Sequence, residues 1–131
     1  MANNMKRELN LLRFLRFQKE VGEIYDRMIA RTAAECGISK PEADVLMFLA
    51  NHPVFDAARD VAIYRGVSKA YVSKAVERLL AGGLLSSETG HMDRRFQHLH
   101  VNDTAWPCVE KLRVTQRKFM SLLLNDVTPS E

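Results

Sequence analysis

The sequence predicts a mainly α-helical chain of 131 residues with one small β-hairpin. Over most of its length, apolar residues recur at spacings of three and four, which is the period of a helix with one buried face. Serine and proline stand where such segments begin, and glycine stands where they end, as is typical of capped helices. Only residues 84–101 contain short β-compatible runs bounded by glycine, and this pattern indicates a hairpin. The length predicts a single domain over residues 1–131.

The first predicted helix covers residues 8–34. Its main apolar stripe consists of Phe14, Phe17, Val21, Ile24 and Met28. A second apolar patch, formed by Leu11, Leu12 and Leu15, cannot share that stripe fully, so the helix is expected to have more than one partner. One stripe would then meet the chain's own domain and the other a second copy of the chain. The alternative is a helix that lies deep in its own core. Gly37 ends the helix.

The second predicted helix begins with a capping signal. Ser39 is followed three residues later by Glu42, which is the spacing of a capping box. Pro41 suits the first turn of a helix because its missing N–H is not needed there. The helix continues through apolar residues to Asn51 and stops before Pro53.

Two shorter helices follow, joined by a turn. Asp56 is expected to cap a helix over residues 57–64, which Gly66 closes. Ser68 is then expected to cap a helix over residues 69–81. Two adjacent glycines end this last helix and separate it from the β-compatible runs.

The hairpin and a final helix complete the chain. Residues 84–89 and 96–101 are the two predicted strands, and the polar segment 90–94 is the loop between them. A final helix is predicted over residues 104–125. That start places Pro107 in the first turn, where a helix tolerates proline.

The distribution of charge is more informative than the formal net charge of +3. Residues 35–60 hold five acidic and two basic side chains, whereas residues 65–95 hold six basic and three acidic ones. A locally positive segment suits a polyanion, because neutralised phosphates release bound counterions. The longest apolar run, Val45–Ala50, is far too short for a membrane span, and charges interrupt the N-terminal segment, so no membrane partner and a cytoplasmic location are expected.

The helices over 57–64 and 69–81 form a helix-turn-helix pattern. Projected at about 100° per residue, the second helix has two unlike faces. Its core face consists of Val72, Ala75, Val76 and Leu79, and the opposite face of Ala70, Tyr71, Lys74 and Arg78, with Ser73 at its flank. Long donors beside small side chains suit the major groove of DNA. An ordinary amphipathic helix explains the stripe equally well, but it does not explain the order of helix, turn, helix and basic hairpin.

Residues 39–101 resemble the winged helix-turn-helix core of the MarR-type transcriptional regulators. The matching pieces are VSKAYVSKAVERLLAGGLL, similar to the recognition helix and its exit, and MDRRF, similar to the tip of the wing. The resemblance implies a winged helix-turn-helix fold with N- and C-terminal dimerisation helices over 8–34 and 104–125. It also implies that Arg95 enters a minor groove, that Arg94 lies on phosphate, and that Asp93 steadies basic side chains nearby.

The function implied is that of a sequence-specific transcriptional regulator. It would bind a palindromic site on double-stranded DNA as a homodimer and respond to a small-molecule effector. The DNA-binding residues predicted are Ser68, Lys69, Tyr71, Ser73, Lys74, Arg78, Arg94 and Arg95. No residue for the effector can be named, and no cofactor is expected. The family's usual Leu-Thr start of the next helix is replaced here by residues 101–107, VNDTAWP. The alternative reading is a winged-helix module that binds protein and not DNA.

A metal site is the first of the weaker hypotheses. His91, His98 and His100 stand near Asp93, and two of these histidines share one face of the second predicted strand. Leu99 takes the opposite parity and is the expected core residue of that strand. The histidines then lie on the wet side of the hairpin, so no metal is expected.

The two cysteines, Cys36 and Cys108, form no close-spaced metal or redox motif in the sequence. Both thiols are expected to be reduced. In some branches of the family an N-terminal cysteine senses oxidants, whereas a small buried hydrophobe is the commoner role. No set of nucleophile, base and acid appears in the sequence, so an enzyme is not expected.

Overall fold

The computed structural model describes residues 2–90 and 97–127. In chain order, its elements are α1 (Ala2–Glu35), α2 (Lys40–Asn51), α3 (Ala58–Arg65), α4 (Lys69–Ala81), β1 (Leu85–Thr89), β2 (Gln97–Val101), a 3₁₀ turn (Asp103–Ala105) and α5 (Trp106–Val127). The predicted class, mainly α with one small hairpin, is confirmed. Within the described ranges, no helix combines the length and the apolar character needed to cross a membrane.

The start of α2 follows the predicted capping signal. Ser39 is the N-cap, and its hydroxyl accepts a hydrogen bond from the Glu42 backbone N–H at 3.4 Å. The same hydroxyl donates to the Glu42 carboxylate at 2.7 Å. Pro41 lies in the first turn, and the helix ends at Asn51, just before Pro53. Both predicted ends are therefore confirmed.

The prediction that Asp56 caps the next helix is wrong. Helix α3 begins at Ala58, and the Asp60 carboxylate accepts a hydrogen bond from the Ala57 N–H at 3.4 Å. The Asp56 carboxylate turns instead toward strand β2, where it lies 2.9 Å from His98 Nδ1. A hydrogen-bonding partner on the strand therefore replaces the helix N-terminus as the neighbour of this carboxylate.

The core lies where α2, α3 and α4 pack together with the hairpin and the start of α5. Its fully buried side chains include Val45, Leu46, Val61, Val72, Leu79 and Val109. A second cluster joins α1 and α5 to the same helices through Ile29, Ala33, Ala43, Met47 and Leu112. The predicted core face of α4 is buried throughout and is confirmed.

The two strands form an antiparallel hairpin whose register runs from Leu85 opposite Val101 to Thr89 opposite Gln97. Strand β1 begins one residue later than predicted, and the predicted first residue of β2, Phe96, lies outside the described residues. Leu85 and Leu99 are buried, which confirms the predicted inward parity of Leu99.

The base of the hairpin is held by hydrogen bonds to the backbone carbonyls of two adjacent residues, Gly83 and Leu84. The Gly83 carbonyl accepts from the Asn102 side-chain amide at 2.9 Å and from the Thr104 hydroxyl at 2.7 Å. Asn102 also donates its backbone N–H to the Leu84 carbonyl. The segment that departs from the family pattern therefore fixes the hairpin to the start of α5.

Helix α1 is long, and little of it is buried. Its 34 residues span about 50 Å at 1.5 Å per residue, but only Ile29, Thr32 and Ala33 are buried. Every residue from 2 to 20 is exposed, including Phe14 and Phe17 of the predicted stripe. The alternative that the whole helix lies deep in its own core is therefore wrong for its first half.

Candidate nucleic-acid interface

The turn between α3 and α4 is compact. Gly66 has a φ of +66°, a left-handed conformation that glycine adopts without the steric cost of a Cβ. The Val67 N–H then donates back to the Ala62 carbonyl at 3.1 Å. Ser68 caps α4 by accepting the Tyr71 N–H at 3.0 Å. The structure thus confirms Gly66 as the end of α3 and Ser68 as the cap of α4, which begins at Lys69.

Helix α4 has one buried face and one exposed face. The exposed residues of α4 and its N-cap are Ser68, Lys69, Ala70, Ser73, Lys74, Glu77, Arg78 and Ala81. Within the described part of the chain, no carboxylate pairs with Lys69, Lys74 or Arg78. The surface therefore presents three unpaired cations, two hydroxyls and one carboxylate, and the cations and hydroxyls are groups that bind phosphates and the acceptor edges of bases.

Tyr71 is placed differently from these residues. Its side chain is half-buried, and its hydroxyl donates to Asp44 Oδ2 at 2.9 Å. Asp44 lies on α2 and is only 4% exposed. The phenol therefore points toward the junction of the helices, although the sequence pattern groups Tyr71 with the exposed cations.

Asp44 is the centre of a charged cluster. Lys40 Nζ lies 2.5 Å from Asp44 Oδ2, and Arg65 Nη2 lies 3.5 Å from Asp44 Oδ1. Lys40 also pairs with Asp26 of α1 at 3.2 Å. A buried carboxylate is costly unless it is paired and hydrogen-bonded, and these neighbours meet that requirement. Among the described residues, Oδ1 has no hydrogen-bond partner and only the longer ion pair with Arg65.

This cluster shifts the pKa values of two of its members. Burial lowers the pKa of the Lys40 ammonium, but the hydrogen bond to Asp44 and its charge outweigh burial, so the pKa lies above its ordinary value. Burial and the hydrogen bond to Asp44 both raise the pKa of the Tyr71 phenol. Both groups therefore keep their protons at neutral pH.

The predicted wing-tip residues Asp93, Arg94 and Arg95 lie outside the described residues, so their roles stay predictions. The strands beside them are firmly attached. The Leu99 N–H donates to the Asp56 carbonyl at 2.8 Å, and the Asp56 carboxylate holds His98. The position of the hairpin beside α2 and α3 is thus set by both backbone and side-chain contacts.

The histidines of β2 each face a different carboxylate. His98 pairs with Asp56 at 2.9 Å, and His100 Nε2 lies 3.5 Å from the Glu88 carboxylate across the hairpin. Among residues 2–90 and 97–127, no three His, Cys, Asp or Glu side chains are grouped as metal ligands. His91 and Asp93 of the metal hypothesis fall outside those ranges.

The fold brings the two cysteines together, which their separation in the sequence does not reveal. Cys36 follows α1, Cys108 lies in the first turn of α5, and the two thiols are close enough to influence each other. Burial, followed by the neighbouring Cys36 thiol, raises the pKa of the Cys108 thiol to about 12. Neither cysteine forms a disulfide here, and both are half-buried. Cys108 is therefore a neutral and weakly nucleophilic thiol.

Two cavities lie near the junction of the long helices with the winged-helix core. An open cleft of about 630 Å³ lies between α1 and α5. Its charged lining consists of Arg27, Arg31, Glu35, Lys111 and Lys118. A polar cavity of about 100 Å³ lies among α1, α2, α3 and α5, and Asp44, Arg65 and Gln116 contribute to its wall. Small-molecule sites typically have volumes of about 300–1,000 Å³. The open cleft falls within this range, and the polar cavity is too small.

Comparison with known proteins finds a family that resembles the middle of the chain. Residues 37–95, from just after α1 to just before β2, match the model of the MarR family. These residues, which include the helix-turn-helix, are therefore similar in sequence to that family. No curated protein matches the sequence.

Solved MarR-type structures share the fold over most of their length. A MarR-family transcription regulator superposes with a TM-score of 0.77 at 13% identity, over 91% of this chain and 78% of that one. MepR of S. aureus in its DNA complex gives a TM-score of 0.75 at 12% identity, over 88% and 85%. The MarR protein of S. aureus with salicylate and kanamycin gives 0.75 at 16% identity, over 96% and 83%. The MarR-type fold thus extends beyond the matched core to both long helices.

Proposed function

We propose that this chain is a sequence-specific DNA-binding transcriptional regulator. The observation that carries the proposal is the exposed face of α4, on which Lys69, Lys74 and Arg78 stand unpaired among the described residues while the opposite face is buried. Such a helix can enter the major groove, where its cations reach phosphates and guanine acceptors. MepR, which shares the fold, has been solved with DNA, and this supports the proposal.

Selection of bound fragments from a random DNA pool tests this function. The full chain is expected to enrich a two-fold symmetric sequence whose half-sites lie about one helical turn apart, roughly 34 Å. Binding to that sequence should weaken steeply as salt rises. If no sequence were enriched, and if the chain bound the pool equally at all salt concentrations, sequence-specific DNA binding would be contradicted.

Single substitutions locate the interface. Lys74→Ala should weaken DNA binding on all sequences and reduce the salt slope by about one, as expected for a lost phosphate contact. Arg78→Ala should weaken binding and, if it contacts a base edge, relax the preference at one position. Arg117→Ala on α5 removes an equally exposed cation and serves as the control, with affinity unchanged. If Arg117→Ala weakened binding as much as Lys74→Ala, the interface would not be α4.

We further propose that the regulator is a homodimer joined through α1 and α5. The first half of α1 exposes Leu9, Leu11, Leu12, Phe14, Leu15 and Phe17, each 47–61% exposed. Met120, Leu122 and Leu124 are similarly exposed on α5. Large contiguous apolar surfaces of this kind mark sites of protein association. A two-fold dimer would present two copies of α4 to a palindromic site.

The mass of the chain in solution tests the dimer. Light scattering is expected to give about twice the 14.9 kDa of one chain. Leu12→Glu introduces a charge into the proposed interface and should return the mass to that of one chain. Lys19→Glu changes charge on the same helix outside the apolar residues named above, and it should leave the mass doubled. A doubled mass in Leu12→Glu would place the interface elsewhere.

The α1–α5 cleft supports modulation by a small organic anion. Four basic side chains and one acidic side chain line it, so its lining is net positive. The S. aureus MarR protein was solved with salicylate, a small aromatic acid. With salicylate as the probe, Tm should rise and DNA affinity should fall. Arg31→Ala should abolish both effects, whereas Arg16→Ala, outside the cleft, should preserve them. An unchanged response in Arg31→Ala would exclude this cleft.

Binding to another protein is the second candidate function. The observation that favours it is an exposed apolar group on the α2–α3 side of the core, where Val54, Ile63 and Tyr64 are 61–84% exposed. Ile63→Glu separates the two functions, because it should leave DNA binding intact and abolish binding of a protein partner. Loss of DNA binding in that variant would count against a separate protein-binding face.

A further inference from the structure

We infer that Asp44 is a positioning residue for DNA binding and that Tyr71 acts through Asp44 instead of reading a base. This inference rests on the proposed DNA-binding function and assigns a role within it. The geometry behind it is the direct hydrogen bond from the Tyr71 hydroxyl to Asp44 Oδ2, at 2.9 Å. That bond commits the polar end of Tyr71 to the interior of the helix junction.

The cluster around Asp44 connects four helices. Tyr71 belongs to α4, Arg65 to α3, and Lys40 and Asp44 to α2. Lys40 extends the connection to Asp26 of α1. One buried carboxylate therefore joins the helix carrying the exposed cations to the helix of the proposed dimer interface.

The location of Tyr71 on α4 makes this contact consequential. Tyr71 lies in the first turn, and its backbone N–H is the group that Ser68 caps. Lys69 is in the same turn, and Lys74 follows less than one turn later than Tyr71. Because one misplaced ångström at a binding site is costly, fixing this turn also fixes the placement of both cations on DNA.

A buried charged cluster is poorly explained by stability alone. Replacing such a cluster with well-packed apolar groups is often neutral or stabilising, so its main contribution is to the relative placement of the elements it joins. An aliphatic side chain at position 44 would bury a similar surface but could not accept a hydrogen bond from the Tyr71 hydroxyl. The hydrogen bond to the carboxylate supplies that directional constraint.

The two roles of Tyr71 predict different behaviour of paired variants. If Tyr71 reads a base, altering Tyr71 changes the preferred base at one position of the DNA site. Asp44→Asn then leaves that base preference unchanged. A residue that positions α4 weakens binding to every sequence. Tyr71→Phe and Asp44→Asn then have similar effects, and the double variant is no weaker than the stronger single one.

The experiment measures DNA affinity and base preference for Tyr71→Phe, Asp44→Asn and the double variant, with Tyr64→Phe as the control. Tyr64 is an exposed tyrosine of α3, so its hydroxyl should be dispensable. Each single variant is expected to bind selected DNA about tenfold more weakly with unchanged base preference, because a hydrogen bond to a charged group is lost. Additive losses, or a changed preference at one base pair in Tyr71→Phe alone, would overturn the inference.

Hydrogen exchange in the free protein tests the same inference without DNA. Tyr71→Phe should increase exchange in the first turns of α4, while Tyr64→Phe should not. If amide exchange in α4 were as slow in Tyr71→Phe as in the wild type, the inference would be overturned, even with DNA binding intact. Failure of the wild-type chain to select any DNA would instead refute the proposed function, and the exchange result would still decide whether Asp44 holds α4.

Discussion

Helix α2 and the first half of α1 both carry several large apolar side chains, but their surroundings are opposite. Seven consecutive residues of α2, from Ala43 to Leu49, are buried by α1, α3, α4 and α5. In α1, residues 2–20 are all exposed, although leucine and phenylalanine recur there at helical spacing. An apolar pattern therefore predicts that a helix needs a partner, but it does not say whether that partner belongs to the same chain.

Truncating one leucine in each region gives the largest expected difference. Leu46→Ala should lower the free energy of unfolding by about 2–5 kcal/mol at any protein concentration, because Leu46 is fully buried within one chain. Leu12→Ala should act only through association, so its effect should appear at high and vanish at low protein concentration. Urea unfolding over a hundredfold range of concentration measures both. A concentration-independent loss in Leu12→Ala would break the comparison.

Glycine substitutions sharpen the comparison at the level of the backbone. Gly66→Ala should destabilise the fold by about 1–2 kcal/mol, because a Cβ is strained at a φ of +66°. Gly22→Ala should instead favour α1 by up to about 1 kcal/mol, since Gly22 is helical and has open space around its Cα. Thermal unfolding should therefore move in opposite directions. Equal losses in both variants would show that Gly22 is closely packed.

Removing the cap of α4 should have a smaller effect. Ser68→Ala deletes the oxygen that accepts the Tyr71 N–H and should cost about 1 kcal/mol of stability. Ser73→Ala, on the same helix but at a position where no cap is needed, should stay within about 0.5 kcal/mol. Ser68→Asp should restore stability, because aspartate is an equally good cap. If Ser68→Asp does not recover it, the lost contact is not the cap.

The smallest expected effect is on alkaline stability. The pKa of Tyr71 and that of Lys40 are both raised in the folded chain, so their stabilising contribution is present below about pH 10 and is lost as pH rises further. Tyr71→Phe should therefore show a shallower fall of the unfolding free energy above pH 10 than the wild type. Tyr64→Phe is the control and should follow the wild-type curve. Identical curves for wild type and Tyr71→Phe would contradict the pKa shift.

Local signals in the sequence predict most of the fold. The capping residues Ser39 and Ser68, the left-handed Gly66 and the buried face of α4 all act over a few neighbouring positions, and the structure confirms each of them. Strand β1 begins only one residue later than predicted, and both strands end where predicted. Such features depend on backbone geometry and on helical or strand period, which a sequence displays directly.

Contacts between distant parts of the chain could not be predicted in this way. The assignment of Asp56 as a cap failed because His98, far along the chain, attracts its carboxylate. The pairing of Cys36 with Cys108 and the inward direction of the Tyr71 hydroxyl are of the same kind. Helical projection groups Tyr71 with the exposed cations, but the neighbouring helix α2 supplies Asp44, and the phenol turns inward to it.

The hydrogen bonds at the base of the hairpin suggest that the loop between its strands can be replaced while the base is kept. Asn102 and Thr104 anchor the base to the Gly83 carbonyl, and five cross-strand pairs hold the strands above it. The strands that flank residues 90–96 in the sequence thus form a scaffold with its own fixed register. We expect loops of other lengths and charges, grafted between these strands, to leave the anchoring contacts unchanged. A library of such grafts would test whether the wing makes the DNA contacts proposed above.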